Sequence, residues 1–438
     1  MKRLRNFPAV VVILGCWLLP TCGVYGEEVA VMKVTGDWEI EVTFAGQTEK
    51  LSIAPSVMEQ VEHEKYDSLP LFQPKGASWR KGVPLRGVAA QECCVFGAYE
   101  PDSLVLRSEA DAQSTAFIVG QDYALDVPSG NIGRLEGGAI SAQTPVWASY
   151  RYGKMRLDSV VLDTDGKIKV LAGESHVANP PLRKPLPGQK LLGTVWISGR
   201  IEKLTPELLF PISQPREYVP MFLAKEVLPK TYGKLEQGEK VRILAWGDSV
   251  TACGYIPDEY RWQQQFVERL RKRFPNAEII LMTEGWGGRN TRAYRNEPPG
   301  SPKNYQEKVL DLQPDLIVSE FVNDAWMNEA AVAKDYSEIL KDFQERGIEW
   351  IICTPHYVRP DWMGLTRQTG IDDDPRPYVK GLREFAKMHR IALADAAFYY
   401  GQQYRLGIPY ITLMKNNINH PDEYGMSLFA DALMKLFP

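Results

Sequence analysis

The stretch Arg242-Ile243-Leu244-Ala245-Trp246-Gly247-Asp248-Ser249-Val250-Thr251 decides the fold. Arg242 to Trp246 is a short apolar strand, and Gly247-Asp248-Ser249 is a turn of small and polar residues. Beyond it Trp262, Phe266, Val267, Leu270 and Phe274 recur at helical spacing. The same unit repeats to the end of the chain. Ile279 to Met282, Leu316 to Phe321, Trp350 to Cys353 and Ile391 to Ala394 read as strands. Val332, Tyr336, Ile339, Leu340 and Phe343 mark a helix that stops near Gly347; Val379 to Met388 form another, and Leu428, Phe429, Ala432, Leu433 and Leu436 stripe a last one. Strands alternating with helices over residues 230–438 predict a parallel sheet covered on both faces. Ligands of such sheets bind outside the carboxyl ends of the strands, so residues at those ends are the ones to read for chemistry.

Upstream the period changes. From Glu27 to Pro229 the pattern is mostly period two with frequent turn residues, which predicts a β-rich region. Trp38, Ile40, Val42 and Phe44 alternate with Asp37, Glu39, Glu41 and Thr43, and Asp165-Gly166 offers a hairpin turn between Ser159 to Leu162 and Lys167 to Leu171. Val146 to Tyr152, Ser114 to Val119 and Leu191 to Ile197 are further strands. One large sandwich, or two units meeting near residue 90, fits this pattern equally. Pro211, Pro215, Pro220, Pro229, Gly233 and Gly238 interrupt regular structure and set the domain boundary at residues 229–230.

The first 26 residues read as a cleaved export signal. Lys2, Arg3 and Arg5 precede an apolar run from Phe7 to Leu19, too short for a membrane helix of roughly 20 apolar residues, and small residues follow near Gly26. A lipid anchor at Cys16 or Cys22 is disfavoured, because Pro20-Thr21 is a poor lead-in to Cys22 and Cys16 leaves a very short apolar core. The 438 residues, 44% hydrophobic and 24% charged, suit two or three globular domains. A formal net charge of −4 without a long one-sign run argues against nucleic acid as a partner. Cys93, Cys94, Cys253 and Cys353 lie in apolar segments and read as buried free thiols. With five histidines and no zinc-type spacing, neither a metal site nor a cofactor is implied.

Ser249 sits where the first strand turns into a helix, a place from which a hydroxyl can act as a nucleophile; the competing reading is that Asp248-Ser249 only caps the helix. Asn417-Ile418-Asn419-His420-Pro421 opens the last helix, and His420 there can take the serine proton. Gly285-Trp286-Gly287-Gly288-Arg289-Asn290-Thr291 follows the second strand and Val322-Asn323-Asp324 the third. In this order the four blocks resemble those of the SGNH hydrolases, also called GDSL esterases and lipases, over roughly residues 240 to 438. The resemblance implies a flavodoxin-like three-layer α/β/α domain with Ser249 as nucleophile and His420 as general base. It also implies an oxyanion hole from the Ser249 and Gly288 backbone N–H groups and the Asn323 side chain. Such donors suit acyl transfer, which builds negative charge on a carbonyl oxygen.

Two positions depart from the family pattern. Phe321 replaces a glycine and is expected to narrow the site, and Asn417 replaces the aspartate that orients the histidine. Three readings remain open: His420 oriented by Asn417 or a backbone carbonyl, a replacement acid such as Glu320 or Asp422, or a protein that binds without catalysis. The first is favoured. Trp286, Arg289 and His356 are further substrate-binding candidates beside the crevice, while Asp395 reads as a cap. The expectation is an exported serine esterase acting on acyl esters, most plausibly acetyl groups on a carbohydrate. The competing functions are a catalytically impaired carbohydrate-binding protein, a lipase or lysophospholipase, and a metal-dependent deacetylase.

Overall fold

The computed structural model describes residues 29–438. The export segment assigned to residues 1–26 lies outside the described residues.

The decisive stretch forms the strand Lys240–Gly247, which lies inside a parallel sheet of five. The order across the sheet is Glu278–Gly285, Lys240–Gly247, Leu316–Glu320, Glu349–Cys353 and Ala392–Ala394. In chain order that is 2-1-3-4-5, the flavodoxin-like arrangement, whose switch point lies beside the first strand. Alternate residues of that strand feed two separate cores. Val241, Ile243 and Ala245 face helices Trp262–Arg273 and Glu423–Met434, whereas Leu244 and Trp246 face helices Glu329–Arg346 and Pro377–His389. A strand apolar on both faces is what a sheet covered by helices requires. The helices are bounded by local chemistry: Asn328 Oδ1 accepts from Ala331 N at 2.9 Å, and Gly347 ends the same helix in the left-handed conformation.

The N-terminal half is β-rich, and one strand organises it. Val146–Leu162, 17 residues long, pairs through its first half with Val57–Tyr66 and Val105–Arg107. Its second half pairs with Ile168–Leu171 and Lys190–Ser198. Two apolar cores result. Tyr66, Leu85, Val88, Tyr99, Val146 and Tyr150 belong to one; Ile40, Val42, Val160, Val195 and Leu209 belong to the other. These cores do not meet near residue 90. The second is built from both ends of the region, and the first is inserted between them along the shared strand, a nesting that period-two alternation cannot reveal. Cys93, Cys94, Cys253 and Cys353 are all buried and unpaired.

The β region packs directly on the α/β domain. Thr194 Oγ1 donates to the Gly407 carbonyl at 2.5 Å, Ser213 N to that of Arg405 at 2.9 Å, and Arg216 N to Gln402 Oε1 at 3.0 Å. Near the carboxyl ends of the parallel strands, the Arg359 guanidinium lies 4.0 Å from the ring centre of Phe96. Trp79 meets Trp362 with ring centres 5.6 Å apart. The crevice of the α/β domain is therefore roofed by the β region.

Candidate active site

Ser249 is the first residue of the short helix Ser249–Ala252, half-buried at the end of the first strand. The tight turn depends on glycine: a Cβ on Gly247 would lie 2.1 Å from Thr251 Oγ1 and 2.3 Å from the Glu320 carbonyl oxygen. Asp248 does cap the helix, accepting from Val250 N at 3.1 Å. The cap is therefore Asp248, and Ser249 Oγ lies 3.1 Å from His420 Nε2.

His420 is held on every side. The Asn416 side-chain oxygen accepts from the backbone N–H groups of Ile418, Asn419 and His420 at 2.9, 2.8 and 3.0 Å, which shapes the loop. Tyr255 stacks on the imidazole, centres 4.5 Å apart and planes within 2°. The ring is 4% exposed, and its Nδ1 lies 2.6 Å from Gln91 Oε1. Glu92 Oε1 is 3.6 Å from the same nitrogen. Burial pulls the His420 pKa below its ordinary value, and Glu92 opposes that shift. A ring that donates Nδ1–H to Gln91 presents its Nε2 lone pair to the Ser249 hydroxyl, the tautomer a general base needs.

Asn417 does not touch His420. Its backbone takes φ +55°, a conformation asparagine tolerates better than most residues, and its side-chain amide is aimed at the Ala178 carbonyl 3.5 Å away. The hydrogen-bond partner of His420 Nδ1 is instead Gln91, more than 300 residues away in sequence. The two replacement acids are also placed elsewhere. Asp422 caps the helix Glu423–Met434 through Gly425 N at 2.7 Å, and burial pushes its pKa up to about 7. Glu320 is buried against Asp248. Burial raises the Asp248 pKa to about 6, while donation from Val250 N, Asn323 N and Asn323 Nδ2 offsets part of that shift and favours its charge. Burial and that charge raise Glu320 well above the carboxylate range.

Asn323 lies in the turn Val322–Asp324. Its Nδ2 donates to Asp248 Oδ2 at 2.9 Å, which fixes the amide and leaves its second N–H free to serve another acceptor. The helix that follows is capped by Asn328 instead, so the capping alternative for Asn323 fails. The neighbouring Asp324 is buried on Thr291 Oγ1 at 2.8 Å, and its pKa is raised to about 7 by burial. Gly288 adopts φ +71° with open space where a side chain would stand, and a Cβ on Gly287 would lie 3.7 Å from that of Ser249. Ser249, Gly288, Asn323 and His420 share one cleft of about 360 Å³. Trp79, Arg80, Glu92 and Cys93 of the β region wall it opposite Trp362 and Asn419.

Three substrate-binding candidates lie outside this cleft. His356 is fully buried, its Nε2 2.8 Å from the Asn419 carbonyl, and so supports the His420 loop from beneath. Trp286 packs edge-on against Tyr294, centres 5.4 Å apart, under the Arg289 guanidinium 5.2 Å away. Phe321 does not narrow the site: it is buried edge-on against Trp246 at 4.8 Å, in the core. Asp395 caps the helix Ala396–Gly401 as expected and pairs with Arg383 at 2.8 Å. Gln91, Glu92, Asn416, Tyr255, Trp79 and Trp362 were not foreseen. Asn416 stands one residue before the block Asn417 to Pro421 and carries no signal there beyond being a second asparagine.

Residues 245–427 match the model of the GDSL-like Lipase/Acylhydrolase family. No curated protein matches the chain. Among solved structures, a two-domain esterase active on acetylated mannans is 16% identical, covering 49% of this chain and 53% of its own, with a TM-score of 0.39. An acetyl xylan esterase is 19% identical over 44% of this chain and 97% of its own, TM-score 0.34. A lipolytic protein of the G-D-S-L family from Veillonella parvula is 18% identical over 45% and 97%, TM-score 0.32. The chain thus spans about half the length of the two-domain esterase. With the glycine, asparagine and histidine blocks following Gly247-Asp248-Ser249 in order at the strand ends, residues 245–427 of this protein form a GDSL-like lipase/acylhydrolase domain.

Proposed function

We propose that the protein is an exported serine esterase that removes acyl groups, acetyl above all, from a carbohydrate. The observation that carries the reading is the 3.1 Å contact between Ser249 Oγ and His420 Nε2 in the cleft that also holds Gly288 and Asn323. In this mechanism His420 Nε2 takes the Ser249 proton while Oγ attacks the acyl carbon. The carbonyl oxygen gains negative charge, received by the Ser249 and Gly288 backbone N–H groups and the free N–H of Asn323. As the ester bond breaks, the proton on Nε2 passes to the departing sugar alkoxide. A water molecule, deprotonated by the same nitrogen, then releases the acyl group from Ser249.

The cleft favours a sugar over a long acyl chain. Trp79 and Trp362 offer broad aromatic faces beside charged Arg80 and Glu92, and Trp362 is 46% exposed. Aromatic bodies with polar rims suit the apolar faces and hydroxyl edges of a pyranose. A lipase would need a long apolar channel in place of this short mixed cleft.

The test is hydrolysis of 4-nitrophenyl acetate and of an acetylated polysaccharide by the full chain beside Ser249→Ala. Turnover should fall by about 10⁴-fold or more in the variant on both substrates. Equal rates in the two proteins would remove the serine mechanism. Loss of wild-type activity on adding a chelator would favour a metal-dependent deacetylase. Preference for long-chain esters over acetates would turn the assignment toward a lipase. Export is tested separately, by sequencing the N-terminus of chain recovered outside the cytoplasm, where Glu27 is the expected first residue.

A further inference from the structure

Three observations converge on the hairpin that joins Ala89–Ala90 to Cys93–Cys94. Ala90 pairs with Cys93 and Ala89 with Cys94, so Gln91 and Glu92 are its two turn residues. Turns of this length favour Gly, Asn or Asp wherever φ is positive, yet Gln91 occupies φ +50°. A residue held in a sparsely populated conformation that a better turn former would relieve points to a role for its side chain. That side chain ends 2.6 Å from His420 Nδ1, and the adjacent Glu92 carboxylate lies 3.6 Å from the same atom.

From this geometry we infer that the β region completes the active centre. Gln91 is the positioning residue for His420, and Glu92 supplies the negative charge that the α/β domain lacks at Asn417. Gln91 Oε1 accepts Nδ1–H and thereby holds the base in one tautomer and one orientation, the task an aspartate performs in a Ser-His-Asp triad. A neutral amide cannot stabilise the imidazolium that forms when Nε2 takes the serine proton. Glu92 can do so without direct contact, at an exposed site where salt screens part of the effect. The division of labour leaves orientation to a short hydrogen bond and charge to a neighbour. The titratable groups facing the ring are Glu92 on the hairpin, Tyr255 stacked on its face, Ser249 at Nε2 and His356 beneath the loop. Arg80 lines the cleft near Glu92.

The inference rests on the serine-esterase reading, and the experiment separates their failures. Gln91→Gly relieves the strained φ and so should keep or raise Tm, yet lower kcat on 4-nitrophenyl acetate by roughly 10²-fold with little change in KM. Gln91→Glu should recover activity and move the acid limb of the kcat/KM profile to higher pH, because a carboxylate at Nδ1 favours the protonated ring. Glu92→Gln should move the same limb to lower pH, less so at high salt. An Nδ1-bound proton of His420 should be visible by NMR in the wild-type protein and lost in Gln91→Gly, whether or not an ester is turned over. If Gln91→Gly keeps the wild-type kcat, pH profile and Nδ1 proton signal while Ser249→Ala is inactive, this inference is overturned and the parent reading stands. If Ser249→Ala is as active as wild type, the parent reading falls, and the Nδ1 proton alone decides whether Gln91 holds the ring.

Discussion

The two nitrogens of His420 are served by different halves of the chain. Nε2 meets Ser249, a residue of the same domain placed by strand order; Nδ1 meets Gln91, carried in on a hairpin of the β region. The first contact follows from a motif written at the strand ends, the second from how two domains happen to pack. The comparison teaches that the two hydrogen-bond partners of one imidazole can come from separate regions of a chain.

That comparison can be broken or sharpened in three further ways. The largest effect is expected on the Nε2 side. Asn323→Ala removes a donor from the proposed oxyanion hole and should cost about 10²- to 10³-fold in kcat, roughly 3 to 4 kcal/mol of transition-state stabilisation. A steady-state assay on 4-nitrophenyl acetate checks it; a rate within twofold of wild type would remove Asn323 from the mechanism. Next is the loop that carries the ring to both partners. Asn416→Ala leaves three backbone N–H groups without their acceptor and should lower stability by about 3 kcal/mol in urea unfolding, together with kcat. Retained stability would show that the loop is shaped by its other contacts, among them Arg359 N to the Ile418 carbonyl and Lys415 N to that of His420, both at 2.8 Å. The smallest effect is expected where the family's aspartate would stand. Asn417→Asp should leave kcat unchanged and lower stability by about 1 kcal/mol, because a carboxylate would replace an amide beside the Ala178 carbonyl in a buried position. A gain in kcat would show that position 417 reaches the ring after all and would unseat Gln91.

Much of the α/β domain was legible because each residue there answers to local rules. The strand Arg242 to Trp246 extends to Lys240–Gly247 by only two residues at one end and one at the other, since apolar runs, Gly247 and the helix stripe all mark the same unit. Ser249, Gly288, Asn323 and His420 could be named because they sit at the ends of such units and share the cleft. Gln91 could not be found this way. A glutamine in a hairpin carries no signal of its own, and its meaning depends on a contact about 330 residues away in the chain. His356 failed for the opposite reason: its sequence position after a strand was read correctly, but burial beneath Asn419 turned a candidate ligand-binder into a support. Phe321 likewise faces the core because its neighbour on the first strand, Trp246, offers a ring to pack against.

The nested β region has a consequence in time. Ile40 and Val160 share one core although about 120 residues separate them, and Leu209 belongs to it as well. Such closure is slow, because the entropy of a long loop is spent before any contact returns it. Within the α/β domain, three of the four neighbouring strand pairs are consecutive in the chain, and Lys240–Gly247 and Leu316–Glu320 pair across the strand Glu278–Gly285 that intervenes in sequence. His420 meets Ser249, 171 residues earlier, and Gln91, 329 residues earlier, so both contacts wait for the segment that carries it. A chain halted before that segment carries Ser249 with no His420 beside it.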